Sequence, residues 1–167
     1  MNIELAENVI ASLRDGGLPI TLGGDHSVAI GSIAGVASFH RSRGARIGLI
    51  WMDAHGDCNT RETTPSGNIH GMPLAATLGY GDPSLTEMEG FAPKVGVEHC
   101  ALVGARDLDA DEKALMKRIG LRVFTMSEID QRGLSAVMRD ALEIATRGTA
   151  GVHVSFDMDF VDPSEAP

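Results

Sequence analysis

Runs of apolar, β-branched residues alternate along this chain with stretches of helical spacing. The apolar runs predict five β-strands, at about 18–22, 46–52, 99–104, 121–125 and 151–157. Helices are predicted where apolar residues recur every three or four positions, over Ile3–Leu13, Val28–Phe39, Met72–Leu78, Asp109–Ile119 and Leu134–Arg147. Strands that alternate with helices indicate βαβ units. The pattern therefore predicts a three-layer α-β-α fold, of the α/β class, with a parallel sheet between helical layers.

The length predicts a single domain over residues 1–167, because this many residues can bury a substantial core and no interdomain linker or repeat interrupts them. The net charge of -9 argues against nucleic acid or an anionic membrane as the main partner. No unbroken apolar stretch is long enough to cross a bilayer. Two cysteines, Cys58 and Cys100, make no disulfide framework, so free thiols in the cytoplasm are expected.

Acidic and histidine side chains follow three of the predicted strands. The segments are Gly23-Gly24-Asp25-His26-Ser27, Asp53-Ala54-His55-Gly56-Asp57 and Asp157-Met158-Asp159. Because ligands bind beyond the carboxyl ends of parallel strands, we expect the three segments to face one site. Asp25 and Ser155 are candidates to orient the ligands, although Asp25 could equally cap the helix that begins near Ser27.

The candidate metal ligands are His26, Asp53, His55, Asp57, Asp157 and Asp159. A single loop aspartate is usually a turn or cap residue, and a lone histidine is usually a core residue. Those explanations fail for six such residues at three strand ends. Four carboxylates and two imidazoles are too many for one tetrahedral zinc. Oxygen-rich ligands with some imidazole suit a harder cation such as manganese, and the number of carboxylates suits a bridged pair.

The three motifs resemble, in order and spacing, those of the ureohydrolases, the family of arginase, agmatinase and formimidoylglutamase. Gly23–Ser27, Asp53–Asp57 and Ser155–Pro163 carry the resemblance. It implies an α/β fold, two Mn2+ ions per site, and hydrolysis of a guanidinium or formimino carbon. It also implies that one manganese is held by His26, Asp53, Asp57 and Asp157, and the other by His55, Asp53, Asp157 and Asp159.

The loop from Asn59 to Pro73 is similar to the loop of arginase and differs from that of agmatinase. By that resemblance L-arginine is hydrolysed to L-ornithine and urea by a metal-bridging hydroxide. The resemblance assigns the α-carboxylate to Asn59, Ser66 and Asn68, the α-amino group to Asp109 and Glu112, and catalysis to His70, Asp57 and Asp159. His70 would protonate the leaving amine, and Asp159 would hold the hydroxide. Without the resemblance, helix N-terminal charge is the better explanation of Asp109 and Glu112.

By the same resemblance the chain is the N-terminal two-thirds of an arginase. Family members continue beyond Pro167 with a segment that carries the acid for the substrate guanidinium and most of the trimer contacts. The full-length form is therefore expected to be a homo-trimer or hexamer that acts in arginine metabolism, such as a urea cycle. Arg61, in place of a usual proline, and Phe160, in place of a common glycine, are local departures. Agmatinase or formimidoylglutamase activity, and a non-catalytic metal-binding fragment, are the alternatives.

Overall fold

A sheet of four parallel strands forms the centre of the protein in the computed structural model, which describes residues 1–166. The strands are β1 (Gly48–Met52), β2 (Cys100–Ala105), β3 (Arg122–Thr125) and β4 (Val152–Phe156), in the order β3-β2-β1-β4. Trp51 of β1 pairs with Leu102 of β2 on one side and with Ser155 of β4 on the other. The predicted parallel sheet is confirmed.

Seven α-helices surround the sheet within residues 1–166: α1 (Asn2–Arg14), α2 (Val28–Arg41), α3 (Pro73–Thr77), α4 (Pro83–Thr86), α5 (Ala110–Ile119), α6 (Met126–Arg132) and α7 (Leu134–Thr146). The five predicted helices are confirmed, and no end is shifted by more than two residues. The sequence pattern missed α4 and α6, since neither is long enough to show a helical period. Among these residues no helix has the length and apolar character that a membrane span requires.

Two hydrophobic layers cover opposite faces of the sheet, as the predicted three-layer architecture requires. Leu49 and Trp51 point to one face, where α2, α3 and α5 pack. Ile50 points to the other, where α6 and α7 pack. Side chains of successive strand residues alternate between faces, so each buried strand contributes to both layers.

The strand predicted at 18–22 is wrong. These residues form neither helix nor strand, and within residues 1–166 their backbone makes no backbone hydrogen bond. The physical reason is the lack of a neighbouring strand, because a β-propensity pattern forms a strand only where a partner supplies the ladder. The segment Gly23–Ser27 therefore follows an unpaired stretch, and its position is set by the start of α2 at Val28.

Gly48, at the start of β1, allows α7 to approach the sheet closely. A Cβ atom at this position would overlap the backbone carbonyl of Ala145 in α7. At Gly151, next to the start of β4, an added Cβ would meet no atom within 4 Å. Only the first glycine is therefore required by packing.

We predict that Gly48→Ala lowers the free energy of unfolding by about 1–3 kcal/mol, because overpacking forces α7 away from the sheet. Gly151→Ala is the matched control and should change it by less than about 0.5 kcal/mol. Denaturant unfolding followed by circular dichroism measures both. Equal effects of the two substitutions would contradict this account of the β1–α7 contact.

Cys58 and Cys100 are free and fully buried, which confirms the prediction of unbridged thiols. Burial raises the pKa of the Cys58 thiol to about 12, and burial also raises the pKa of Cys100. Only the thiolate is nucleophilic, so both thiols are protected from reaction because they are buried and stay protonated.

We predict that neither cysteine of the folded protein reacts with a thiol-specific disulfide reagent at mildly alkaline pH. Both should react rapidly in denaturing guanidinium, where the thiols regain ordinary pKa values. Absorbance of the released chromophore measures the number of reactive groups. Rapid labelling of the folded chain would show that the core around these thiols opens.

Candidate metal centre

The acidic motifs that follow β1 and β4 lie side by side, because these two strands are adjacent and parallel. The amide of Asp53 donates to the carbonyl of Val103 (3.1 Å), and the amide of Asp157 donates to the carbonyl of Met52 (2.9 Å). Each motif thus begins where its strand's pairing ends. His26 enters from the other side, two residues before α2.

The Nδ1 atom of His26 faces three carboxylates. It lies 2.9 Å from Asp53 Oδ2, 3.0 Å from Asp57 Oδ2 and 3.2 Å from Asp157 Oδ2. One ring nitrogen carries at most one proton, so it cannot satisfy three carboxylate oxygens at once. Three acceptor oxygens therefore surround a nitrogen that can donate to only one of them.

A second histidine repeats the arrangement on the other side of Asp53. His55 Nδ1 lies 2.9 Å from Asp159 Oδ2 and 3.5 Å from Asp53 Oδ1. Asp53 therefore presents one carboxylate oxygen to each histidine. Its side chain is almost completely buried, with 1% exposed, and so is fixed between the two.

Two groups of side chains are close enough to hold a cation each, and they share Asp53. His26, Asp53 and Asp157 form one group, and Asp53, His55 and Asp159 form the other, with the ligand atoms of each group within 4.8 Å of one another. A shared carboxylate between two sites is the arrangement of a bridged metal pair. The sequence-based assignment also places Asp57 at the first metal and Asp157 at both. The structure brings Asp57 to His26 but does not place Asp157 in the second group.

Asp57 supplies a direct test of whether these residues fit a metal. Its buried Oδ2 atom lies 3.0 Å from His26 Nδ1, the nitrogen that it shares with Asp53 and Asp157, and makes no hydrogen bond to the described residues. Its backbone is held at φ 46°, an unusual value for a residue other than glycine. Burial, together with the charge of Asp53, raises the pKa of Asp57 to about 6. A buried carboxylate oxygen without a partner is costly, and a divalent cation would remove that cost.

Charge balance leads to the same conclusion. Burial opposes protonation of His26, but its close contacts with the carboxylates of Asp53 and Asp57 outweigh burial and raise the pKa of His26 to about 9. Burial likewise opposes ionisation of Asp53, yet the contacts with His26 and the His55 amide leave its pKa lowered. With every carboxylate ionised, two imidazolium ions could not neutralise four acids. The oxygen-rich set is therefore suited to divalent cations of the hard or borderline class.

Two neighbouring side chains hold the buried ligands in place. His26 Nε2 lies 2.8 Å from Ser155 Oγ, which fixes the ring on the side opposite the carboxylates, as expected for Ser155. Trp51 Nε1 donates to Asp53 Oδ2 (3.0 Å), and its ring stacks on His26 with centroids 4.1 Å apart. Sequence reasoning missed Trp51, because a tryptophan in a buried strand has the pattern of a core residue. Asp25 instead caps the turn before α2, since its Oδ1 accepts from the Ser27 amide (2.9 Å).

Arg106 is a second residue that the sequence did not reveal. Its guanidinium donates to the carbonyls of Asp159, Phe160 (3.3 Å) and Val161 (3.3 Å). It thereby ties the turn that carries Asp159 to the end of β2. An arginine directly after a buried strand was the available signal, but the position has no motif of its own.

A cleft of about 350 Å³ opens beside the metal-ligand candidates, within the size range of small-molecule sites. Among the residues that sequence reasoning assigned to substrate, Asn59, Ser66, His70, Asp109 and Glu112 line it. Asn68 does not line the cleft, and its backbone amide donates to Ser66 Oγ (3.2 Å). Most of the predicted substrate residues thus face one cavity together with the metal ligands.

Within this cleft, Asn59 and Asp109 are joined and Glu112 is held by the backbone. Asn59 Nδ2 donates to Asp109 Oδ2 (3.0 Å). Glu112 is buried and accepts from the amides of Asp109 (2.8 Å) and Cys58 (3.2 Å). Asp109 is the N-cap of α5, so helix capping accounts for part of what these acids do. Glu112 has a structural role in tying the loop after Asp57 to α5.

Comparison with known proteins agrees with this geometry. The model of the Arginase family matches residues 1–167. The chain is 52% identical to an arginase of Brevibacillus brevis over 166 residues. The chain belongs to the arginase family. A crystal structure of arginase from Bacillus cereus superposes with a TM-score of 0.93 at 49% identity, covering 99% of this chain and 56% of that one.

A more distant family member has been solved with a bound ligand. The Entamoeba histolytica arginase, solved in complex with L-ornithine, has a TM-score of 0.88 and 36% identity, with 98% of this chain and 54% of that chain covered. The chain spans about half the length of the curated relatives it matches, 99% of it aligning with 54% of the Brevibacillus brevis protein.

We predict that Asp53→Asn weakens manganese binding by more than the roughly 10–100-fold that loss of an outer-sphere partner costs. The substitution keeps the shape of the side chain but removes the charge that both groups share. Asp107→Asn is the matched control. It removes the same charge close to the site, 4.0 Å from His55 Nε2, but from an exposed residue that belongs to neither ligand group. Isothermal titration with manganese measures both, with circular dichroism to verify folding. Unchanged affinity in Asp53→Asn would exclude Asp53 as a shared ligand.

Proposed function

We propose that this chain carries the dinuclear manganese site and the amino-acid-binding cleft of an arginase, which hydrolyses L-arginine to L-ornithine and urea. The observation that carries the proposal is the pair of ligand groups that share Asp53 at the edge of the cleft. The family membership and the ornithine complex of the Entamoeba histolytica relative support it.

The cleft suits a free α-amino acid. The α-carboxylate and α-ammonium of such a substrate are bonded to one carbon, so they need a neutral or cationic donor and an acceptor close together. Asn59 and Asp109 are such a pair, 3.0 Å apart. Ser66 adds a hydroxyl to the lining of the cleft, and we assign Asn68, two residues further along the same loop, to the carboxylate. Asp109 and Glu112 would accept the ammonium. A substrate without a carboxylate, such as agmatine, would leave the neutral donors unused.

In this proposal His26, Asp53, Asp57 and Asp157 would hold one manganese, and His55, Asp53, Asp157 and Asp159 would hold the other. Two bound manganese ions would lower the pKa of a shared water and stabilise the negative charge that develops when it adds to the guanidinium carbon. Ser155 and Trp51 orient His26 and Asp53, so these ligands need little rearrangement on binding.

The chain's own groups then move the protons. Asp159 lies 2.9 Å from His55 Nδ1 and is partly exposed to the cleft, where it would accept a hydrogen bond from the attacking water. His70 is exposed, lines the same cleft and would donate a proton to the amine nitrogen as the carbon–nitrogen bond breaks. That proton lets ornithine leave as an amine, and urea is the second product.

The deciding experiment loads this chain with manganese and measures metal content and product on the same sample. L-arginine, agmatine and formimidoylglutamate are compared as substrates. Two metals per chain with urea released mainly from L-arginine is the expected result. Preferred turnover of agmatine or formimidoylglutamate would contradict the substrate assignment. Two metals without turnover of any substrate would leave a metal-binding chain that is not an enzyme by itself.

We predict that His70→Ala lowers kcat for L-arginine by about 10²–10⁴-fold, the usual contribution of a positioned proton donor. Manganese content should not change, since His70 is in neither ligand group. His40→Ala is the control, because His40 lies near the end of α2 and does not line the cleft. The side chain of His70 is exposed, so added imidazole should restore part of the lost rate. Full activity of His70→Ala would remove His70 from the mechanism.

A further inference from the structure

A second cavity lies at the opposite edge of the sheet from the metal centre. Its volume is about 240 Å³, and it opens between the end of α2 and the residues that directly precede β1 and β2. Parallel strands all begin at one edge of a sheet and end at the other, so this cavity is remote from the cleft of the proposed reaction. We call it the basic cavity, because Arg41, Arg46, Lys94 and His99 line it.

The charges around the basic cavity are out of balance. Three cations line it, Arg41, Arg46 and Lys94, and Glu98 is the one carboxylate of residues 1–166 that does so. None of the three cations has a carboxylate of these residues within 4.0 Å. The side chain of Glu98 is 63% exposed, so water screens its charge. A chain with a net charge of -9 thus gathers unpaired positive charge at one cavity.

Lys94 is the buried cation of this group, with 8% of its surface exposed. Its Nζ atom donates to the carbonyls of Thr86 (2.7 Å) and Phe91. Burial and the charge of Arg41 lower the pKa of Lys94 to about 8, although two exposed glutamates act in the opposite direction. Backbone carbonyls satisfy its hydrogen bonds but carry no net charge, so this ammonium lacks a counter-ion.

Arg41 adds a second positive charge beside Lys94. The Cζ atom of Arg41 and the Nζ atom of Lys94 each lie 4.4 Å from the centroid of the Phe91 ring. The end of α2 does not require Arg41, because Arg43 Nη1 donates to the carbonyl of Phe39 there (3.1 Å). Two cations that share one ring repel each other, and an anion bound in the cavity would remove that repulsion.

His99 is a second, independent sign of a missing partner. It is 7% exposed, and neither ring nitrogen has a hydrogen-bond partner within residues 1–166. Glu98 Oε1 lies 3.6 Å from His99 Nε2, beyond hydrogen-bond distance. A buried polar group without a partner costs free energy, and a ligand oxygen in the adjoining cavity would offset that cost.

The rest of the lining is apolar, and the space is small. Ala37, Ile47, Phe91 and Pro93 contribute the apolar part. The volume is below the roughly 300–1,000 Å³ of drug-sized sites, so the ligand has few atoms. Arginine guanidinium groups match the planar fork of a carboxylate. A bare inorganic ion would leave the apolar side chains in contact with water, so an organic anion fits this lining better.

We propose that the basic cavity binds a small monocarboxylate with a short apolar chain. The carboxylate accepts hydrogen bonds from Arg41 and Arg46 and supplies the counter-ion of Lys94, while the apolar chain packs against Ile47 and Phe91. The site lies at the other edge of the sheet and goes beyond the proposed hydrolysis. Its test therefore does not use activity, and a failure of the proposed hydrolysis would not affect it.

The test titrates the isotope-labelled chain with butyrate and follows the backbone amide chemical shifts by nuclear magnetic resonance. Saturable shifts should centre on residues 45–47 and 94–99, which lie at the cavity. Butyramide has the same shape without the charge, and inorganic phosphate has charge without an apolar chain. Each should bind at least about tenfold more weakly than butyrate. Shifts without saturation, shifts confined to other segments, or equal binding of butyramide or phosphate would overturn the proposal.

Charge variants test the cavity itself, with circular dichroism to verify folding. Arg41→Gln combined with Arg46→Gln should weaken butyrate binding at least about tenfold. The matched control, Arg14→Gln combined with Arg43→Gln, removes the same charge from exposed residues that do not line the cavity, and should change the affinity by less than about twofold. Glu98→Gln removes the one acid of the lining and should strengthen binding about two- to fivefold. Equal losses in the two double variants, or weaker binding by Glu98→Gln, would contradict the proposal.

Discussion

The structure of the candidate site depends on one constraint, the convergence of carboxylates on Asp53. Asp53 is buried at the end of β1 and presents one oxygen to His26 and the other to His55. Three further acids lie within contact of the same two rings. Such a concentration of negative charge is unstable in a protein interior unless cations balance it. The donors around Asp53, from Trp51 and the His55 amide, hold it in position but do not neutralise it.

The parallel sheet makes that convergence possible. β1 and β4 are neighbours and run in the same direction, so the motifs that follow them emerge together at one edge. The loop after Asp57 then continues around the cleft and is anchored to α5 through Glu112. Arg106, at the end of β2, fixes the turn that carries Asp159. Apart from His26, which precedes α2, the metal ligands follow the carboxyl ends of β1 and β4, and Arg106 follows the end of β2 beside them.

Much of this could be predicted from the sequence, because period and motif position are local properties. The strands that form β1 to β4 were identified by apolar runs, and the six candidate ligands by their place after such runs. Trp51 and Arg106 could not be identified in this way, since their roles depend on contacts with residues distant in sequence. The segment 18–22 shows the opposite failure. Its sequence favours a strand, but strand formation requires a partner that residues 1–166 do not provide.

The central claim is that Asp53 joins two cation sites into one centre. Electron paramagnetic resonance of the manganese-loaded chain tests it most directly, because two manganese ions bridged by a carboxylate are magnetically coupled and a lone ion is not. The account predicts a coupled-pair spectrum at saturating manganese, with the signal of an isolated ion only in Asp53→Asn. An isolated-ion spectrum from the unaltered chain at saturation would contradict it.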